Sequence, residues 1–164
     1  MNDSLLAADT GGVGGVNPPV TESFVVTLTI PCAAEYVGTA RLTILGVASR
    51  MGFSYDQVED IRLAVGEACT NAIARAEESE AKSAATITIS SHIEPTQLVV
   101  EIEDTVGDSG GSTDADLDRT TGEEVNPAEL GALLMEILVD EVAVQIKPTG
   151  THVRLTKYAM NATG

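Results

Sequence analysis

Two polar side chains stand four residues apart in a run of small residues, Glu67-Ala-Cys-Thr-Asn71. On a helix that spacing stacks them on one face. A carboxamide oxygen can take a hard cation such as Mg2+, and a carboxylate beside it can accept a proton or hold a water. The alternative is a solvated helix surface, where Glu and Asn commonly sit without any chemical task.

The surrounding residues predict one long amphipathic helix over 54–78 to carry the pair. Ser54 is the candidate N-cap, and Asp56 and Glu59 place negative charge in the first turns. Val58, Ile61, Val65, Ala68, Cys69, Ala72, Ile73 and Ala76 recur at helical spacing and should face a core. Before this helix, residues 23–30 are rich in β-branched side chains and read as a strand ended by Pro31. A second helix is predicted over 34–50, with Val37, Ala40, Leu42, Leu45 and Val47 among its apolar positions and Gly52 as its C-cap. After the long helix comes a polar loop, 77–83. Strands follow at 86–90 and 97–103, joined by a turn at Glu94, Pro95 and Thr96.

Residues 104–127 are polar and rich in Gly, Asp and Thr. A stretch that long without an element is usually functional or disordered. Pro127 suits the first turn of a late helix running to about Asp140, in which Met135 and the leucines read as core. Two strands close the chain, 141–147 and 152–157, with Pro148, Thr149 and Gly150 between them. The order β-α-α-β-β-loop-α-β-β implies an α+β two-layer sandwich, with helices on one face of a mixed sheet. Residues 1–21 read as a disordered tail, 22–158 as the domain and 159–164 as a short second tail. Gly11 to Gly15 do not read as a phosphate loop, because no Lys-Ser/Thr follows and no strand precedes.

Several of these stretches together resemble one family. Glu67-Ala-Cys-Thr-Asn71-Ala72 is similar to the asparagine box of the GHKL ATP-binding fold, and more narrowly to that box in bacterial anti-sigma factor serine kinases. The resemblance extends through residues 35–43, 46–54, 133–142 and 150–158, and covers roughly 22–158 in the family's order. It implies that Asn71 binds Mg2+ and that Glu67 is the general base in phosphoryl transfer from ATP to a serine of a bound protein. It implies that Asp104, at the start of Asp-Thr-Val-Gly-Asp, accepts the adenine amino group, with Gly107 in the following turn. Thr151, after Gly150, would support the adenine. Gly131 would be the last glycine of a phosphate-cradling cluster, and 104–127 the ATP lid. Arg41, on the first helix, would contact protein partners.

Departures from the family pattern cluster in the glycine motifs. Val106 and Asp108 replace two glycines, and Ala128-Glu129-Leu130-Gly131 stands where the family has roughly Gly-Gly-Leu-Gly. Glu129 would bring a carboxylate toward the phosphates, and the lid offers only Arg119 as a cation. Two readings follow. In one, the chain is an anti-sigma factor that sequesters an alternative sigma factor and phosphorylates an antagonist protein with Mg-ATP. In the other, it is a degenerate GHKL module that regulates partners without catalysis. The resemblance also implies a homodimer.

Composition bounds these readings. The 164 residues suffice for one domain with a real core, built mostly from Val, Ile, Leu and Ala because aromatics are only 3%. No apolar run reaches membrane-spanning length and no basic leader opens the chain, so a cytoplasmic protein is expected. The net charge of -16 should repel nucleic acid. It would steer the chain to a basic partner surface, or serve solubility alone. Cys32 and Cys69 lack metal-ligand spacing. Buried reduced thiols are expected, with a disulfide between them as the alternative. His92 and His152 are given no role.

Overall fold

The structure is a computed structural model that describes residues 23–80, 82–107 and 127–159. The tail 1–21, most of the 104–127 loop with Asp108 and Arg119, and residues 160–164 lie outside the described residues.

Alternating Val, Thr and Ile build β1 (Phe24–Pro31), β2 (Thr86–Ile93) and β3 (Gln97–Asp104), and the last two strands are β4 (Glu141–Lys147) and β5 (Gly150–Tyr158). They form one five-stranded sheet in the order β1-β2-β3-β5-β4. The α+β two-layer sandwich expected from the sequence is found. Its sheet is antiparallel in all four ladders rather than mixed. Hairpins join β2 to β3 and β4 to β5, and tight hairpins permit only antiparallel pairing. Pro31 belongs to β1 because that strand is an edge, where a missing N–H is tolerated.

Among the described residues three helices cover one face: α1 (Val37–Ala48), α2 (Tyr55–Glu77) and α3 (Pro127–Leu138). The first is preceded by a 3-10 turn at Ala34–Tyr36. Helix α2 is central. It packs on α1 and α3 and crosses β3 and β5. Its N-terminus is fixed by a capping box: Ser54 Oγ accepts the Gln57 N–H at 3.2 Å, and the Gln57 side chain accepts the Ser54 N–H at 3.0 Å. All eight apolar positions expected on its inner face are buried. They pack with Ile44 of α1, with Ile87 and Ile89 of β2, with Leu98, Val100 and Ile102 of β3 and with Leu155 of β5.

Three local readings change. Helix α1 ends at Ala48, and Gly52 (φ +74°) sits in the turn beyond rather than at the helix end. Leu42 is 67% exposed, because α1 turns its Val37, Ala40, Ile44, Val47 and Ala48 side inward. Helix α3 is rich in apolar residues, but among its described side chains and the next residue only Gly131, Met135 and Val139 are buried. Leu130, Leu133, Leu134 and Ile137 are exposed.

The opposite face of the sheet is polar. Thr29 and Thr88 share a hydroxyl contact across β1 and β2. Glu101 lies between His92 and His152, at 3.0 and 3.7 Å. Among the described residues no group of His, Cys, Asp and Glu is arranged to hold a metal, and no helix is long and apolar enough to cross a membrane.

Candidate nucleotide site

Because α2 presents its inner stripe to the core, residues at the margin of that stripe lie where the helix layer meets α3 and the ends of β3 and β5. Glu67, Asn71 and Arg75 occupy that margin at successive four-residue steps. Glu67 and Asn71 are half-buried, and neither makes a hydrogen bond or ion pair among the described residues.

Asn71 faces α3 at Gly131. A Cβ built on Gly131 would lie 2.9 Å from Asn71 Nδ2 and 3.0 Å from Oδ1. The absent side chain at 131 is what leaves room for the carboxamide, so these two sequence-predicted residues are brought together. Glu129 lies exposed in the first turn of α3.

One turn further along α2, Arg75 ties three elements. Its Nη2 donates to Asp104 Oδ2 at 2.7 Å, and its Nη1 donates to Thr151 Oγ1 at 2.7 Å and, more weakly, to Asp104 Oδ1 at 3.4 Å. Asp104 ends β3 with its side chain 3% exposed. Its Oδ1 also accepts the N–H of Val106 at 3.0 Å and of Thr151 at 3.3 Å. A buried carboxylate needs such donors to offset its lost hydration.

Gly150 permits this convergence. Its φ is +149°, and a Cβ there would fall 1.8 Å from the Asp104 carbonyl oxygen. Only glycine fits such a backbone approach. A cavity of about 200 Å3 at this end of the sheet is lined also by Thr88, Glu103 and His152, so it opens toward the polar face rather than toward α2. Gly107 lies near this turn, where an added Cβ would sit 3.4 Å from the Pro148 carbonyl oxygen.

Arg41 is half-buried and reaches from α1 across α2. A Cβ on Gly66 would meet its Nε at 2.5 Å and its Nη2 at 2.7 Å, so the guanidinium lies against the α2 backbone at Gly66. Its Nε is buried and has no hydrogen-bond partner among the described residues. Both cysteines are free and buried. Burial pushes the Cys69 thiol up to about 12; Cys32 adds to the rise and Arg41 opposes it. The Cys32 thiol is also raised, by burial first and then by the Asp104 charge, with Arg75 opposing.

Arg75 is the site residue that the sequence reading passes over. Its signal is present: it lies four residues beyond Asn71 and eight beyond Glu67, on the same helix stripe. What was not visible is its partner, 29 residues away in the chain.

The chain belongs to the histidine kinase-like ATPase domain family, whose profile matches residues 30–157. It is 38% identical over 142 residues to the serine-protein kinase RsbW of Bacillus velezensis, covering 81% of this chain and 84% of that one. It is 37% identical over 142 residues to RsbW of Bacillus subtilis, with the same coverage. It is 37% identical over 145 residues to RsbW of Listeria innocua, covering 81% and 86%. The resemblance to anti-sigma factor serine kinases is thus borne out across most of the chain. The fold is also similar to the crystal structure of the RsbU and RsbW domains of Rv1364c from Mycobacterium tuberculosis. The TM-score is 0.62 at 17% identity, over 85% of this chain and 34% of that one, a likeness of fold.

Proposed function

We propose that this chain is a protein serine kinase that also acts as an anti-sigma factor, holding an alternative sigma factor and phosphorylating an antagonist protein with Mg-ATP. The observation that carries the reading is the α2 stripe. It sets a carboxylate, a carboxamide without a hydrogen bond among the described residues and the Arg75–Asp104 pair in line along one helix. A cation site needs a spare oxygen, and Asn71 offers one against the open side of Gly131. When bound, Mg2+ supplies charge neutralisation on the phosphates.

The remaining chemistry belongs to the chain. Asp104 and Thr151 hold the base. Glu67 takes the proton of the attacking serine as its Oγ–P bond forms and the γ-phosphoryl bond to ADP breaks. Gly107 and Gly131 leave the backbone open around the nucleotide. The α1 surface, with Arg41 and the exposed Leu42, meets the sigma factor and the antagonist. In this reading the domain spans 22–158, works in the cytoplasm as a homodimer and does not touch nucleic acid directly.

A second reading has one observation in its favour. Glu129 stands in the first turn of α3, where a phosphate cradle would need neutral glycines. The chain would then be a binding module without catalysis. Incubation with labelled ATP and the antagonist protein that co-purifies with the chain separates the two. The kinase reading expects phosphoserine on the antagonist, lost in Glu67→Gln while ATP binding persists. Transfer at an undiminished rate in Glu67→Gln removes Glu67 as the base. Absence of ATP binding at millimolar nucleotide leaves the module.

A further inference from the structure

We propose that the outer face of α3 is a docking surface for a basic amphipathic helix of a partner protein. This surface is separate from the nucleotide site and from α1, and it does not rest on the kinase reading. Leu130, Leu133, Leu134 and Ile137 stand at helical spacing on one side of α3. All four are exposed, Ile137 at 71%. The helix is anchored from its other side, where Gly131 and Met135 are buried, so the four do not serve the core. Single exposed apolar residues are ordinary, but a contiguous stripe of them marks an interaction site.

The spacing of the stripe defines the shape of its partner. Residues 130, 133, 134 and 137 follow the pattern of a helix–helix seam, in which side chains three and four apart interlock with those of a second helix. Glu129 and Glu136, both exposed, stand seven residues apart. Seven residues are close to two turns, so both lie along the same flank of the stripe. Flanking charges at this interval set partner choice between paired helices.

Charge then selects among the possible occupants. Helix α3 contains no Lys or Arg. Antiparallel pairing with a second copy would set glutamates against glutamates, and parallel pairing would offer them no cation. The chain's own segments outside the described residues complement it no better. Residues 1–22 and 160–164 contain no Lys or Arg, and 108–126 hold only Arg119 among six acidic residues. A foreign helix with an apolar seam and Lys or Arg on the facing flank satisfies both features. The net charge of -16 would steer such a helix toward the chain.

The test uses two designed helical peptides of about three heptads, with Leu at the seam and either Lys or Glu on both flanks. Each is titrated into the full chain and followed by methyl NMR. The Lys peptide should shift the Leu133 and Ile137 methyls, and the Glu peptide should bind at least about tenfold more weakly. Leu133→Gln with Ile137→Gln should weaken the Lys peptide about tenfold or more, at unchanged thermal stability. Glu129→Lys with Glu136→Lys should reverse the order of the two peptides. Binding of the Lys peptide that is indifferent to both double variants would overturn the proposal, as general attraction to an acidic chain. So would the absence of binding at about millimolar peptide. Self-association that the glutamine variants abolish would assign the face to a second copy instead. Leu133 and Ile137 methyls shielded from a soluble paramagnetic probe in the free monomer would assign it to the chain itself.

Discussion

The two ends of the α2 stripe differ in how much of their work is done before any ligand arrives. At Arg75 the end is built. Asp104 is buried and receives donors from Arg75, Val106 and Thr151, and Gly150 backs directly onto its carbonyl. At Asn71 the end is open. Asn71 and Glu67 are half-buried without hydrogen bonds among the described residues, and only the missing side chain of Gly131 shapes the space in front. Under the proposed function the contrast follows from chemistry. Recognition of a neutral base edge needs fixed donors and acceptors, whereas Mg2+ brings its own waters and phosphate oxygens and needs few protein ligands. The built end should therefore be coupled to folding, and the open end should not.

Substitutions at the built end should cost stability first. Gly150→Ala should be the most damaging, because a Cβ at 1.8 Å from the Asp104 carbonyl cannot be accommodated at φ +149°. A loss of about 3 kcal/mol or more is expected in urea unfolding, from strain and overpacking together. A near-neutral Gly150→Ala would break the contrast at its strongest point. Asp104→Ala removes the shared acceptor and leaves the Val106 and Thr151 N–H groups without it. About 2 kcal/mol should be lost, discounted because Arg75 is 38% exposed and can turn to water.

The open end should respond in the opposite way. Gly131→Ala places a methyl against the Asn71 amide, which can swing aside, and alanine is the better helix former by about 1 kcal/mol. Stability should hold or rise slightly, while Mg-dependent ATP affinity falls about tenfold from the displaced carboxamide. A variant that unfolds early but binds normally would reverse the assignment of the two ends.

The smallest effect at neutral pH concerns Cys69. Its folded thiol titrates at about 12 against an ordinary 9.0, so the folded chain holds a proton that the unfolded chain loses. That contribution is fully present below pH 9 and is lost as pH rises from about 9 to about 12. Unfolding followed across that window should show stability declining in the wild type and declining less in Cys69→Ala. Alkylation of native Cys69 at pH 8 should be slow.

The open end was legible in the sequence and the built end only in part. Glu67 and Asn71 are local, four residues apart on a helix whose period and cap were readable from Ser54 onward. The inner face of α2 was correct at every named position for the same reason. Asp104 and Thr151 were placed by resemblance, but their bond to Arg75 spans three elements and leaves no local trace. The misreadings share that cause. Gly52 announced a positive φ without saying which turn needed it. The leucines of α3 announced an apolar helix without saying which side would find a neighbour. The antiparallel course of the whole sheet depends on how hairpins stack, which no single strand encodes.

The most direct test of the account is calorimetric titration of adenosine and of Mg-ATP into the wild type, Asn71→Ala and Asp104→Ala. The account predicts that Asn71→Ala keeps its adenosine affinity and its stability but loses the Mg-dependent gain for ATP. Asp104→Ala should lose both ligands and stability together. Adenosine binding that falls equally in the two variants, or Mg-dependent ATP binding that survives Asn71→Ala, would contradict it.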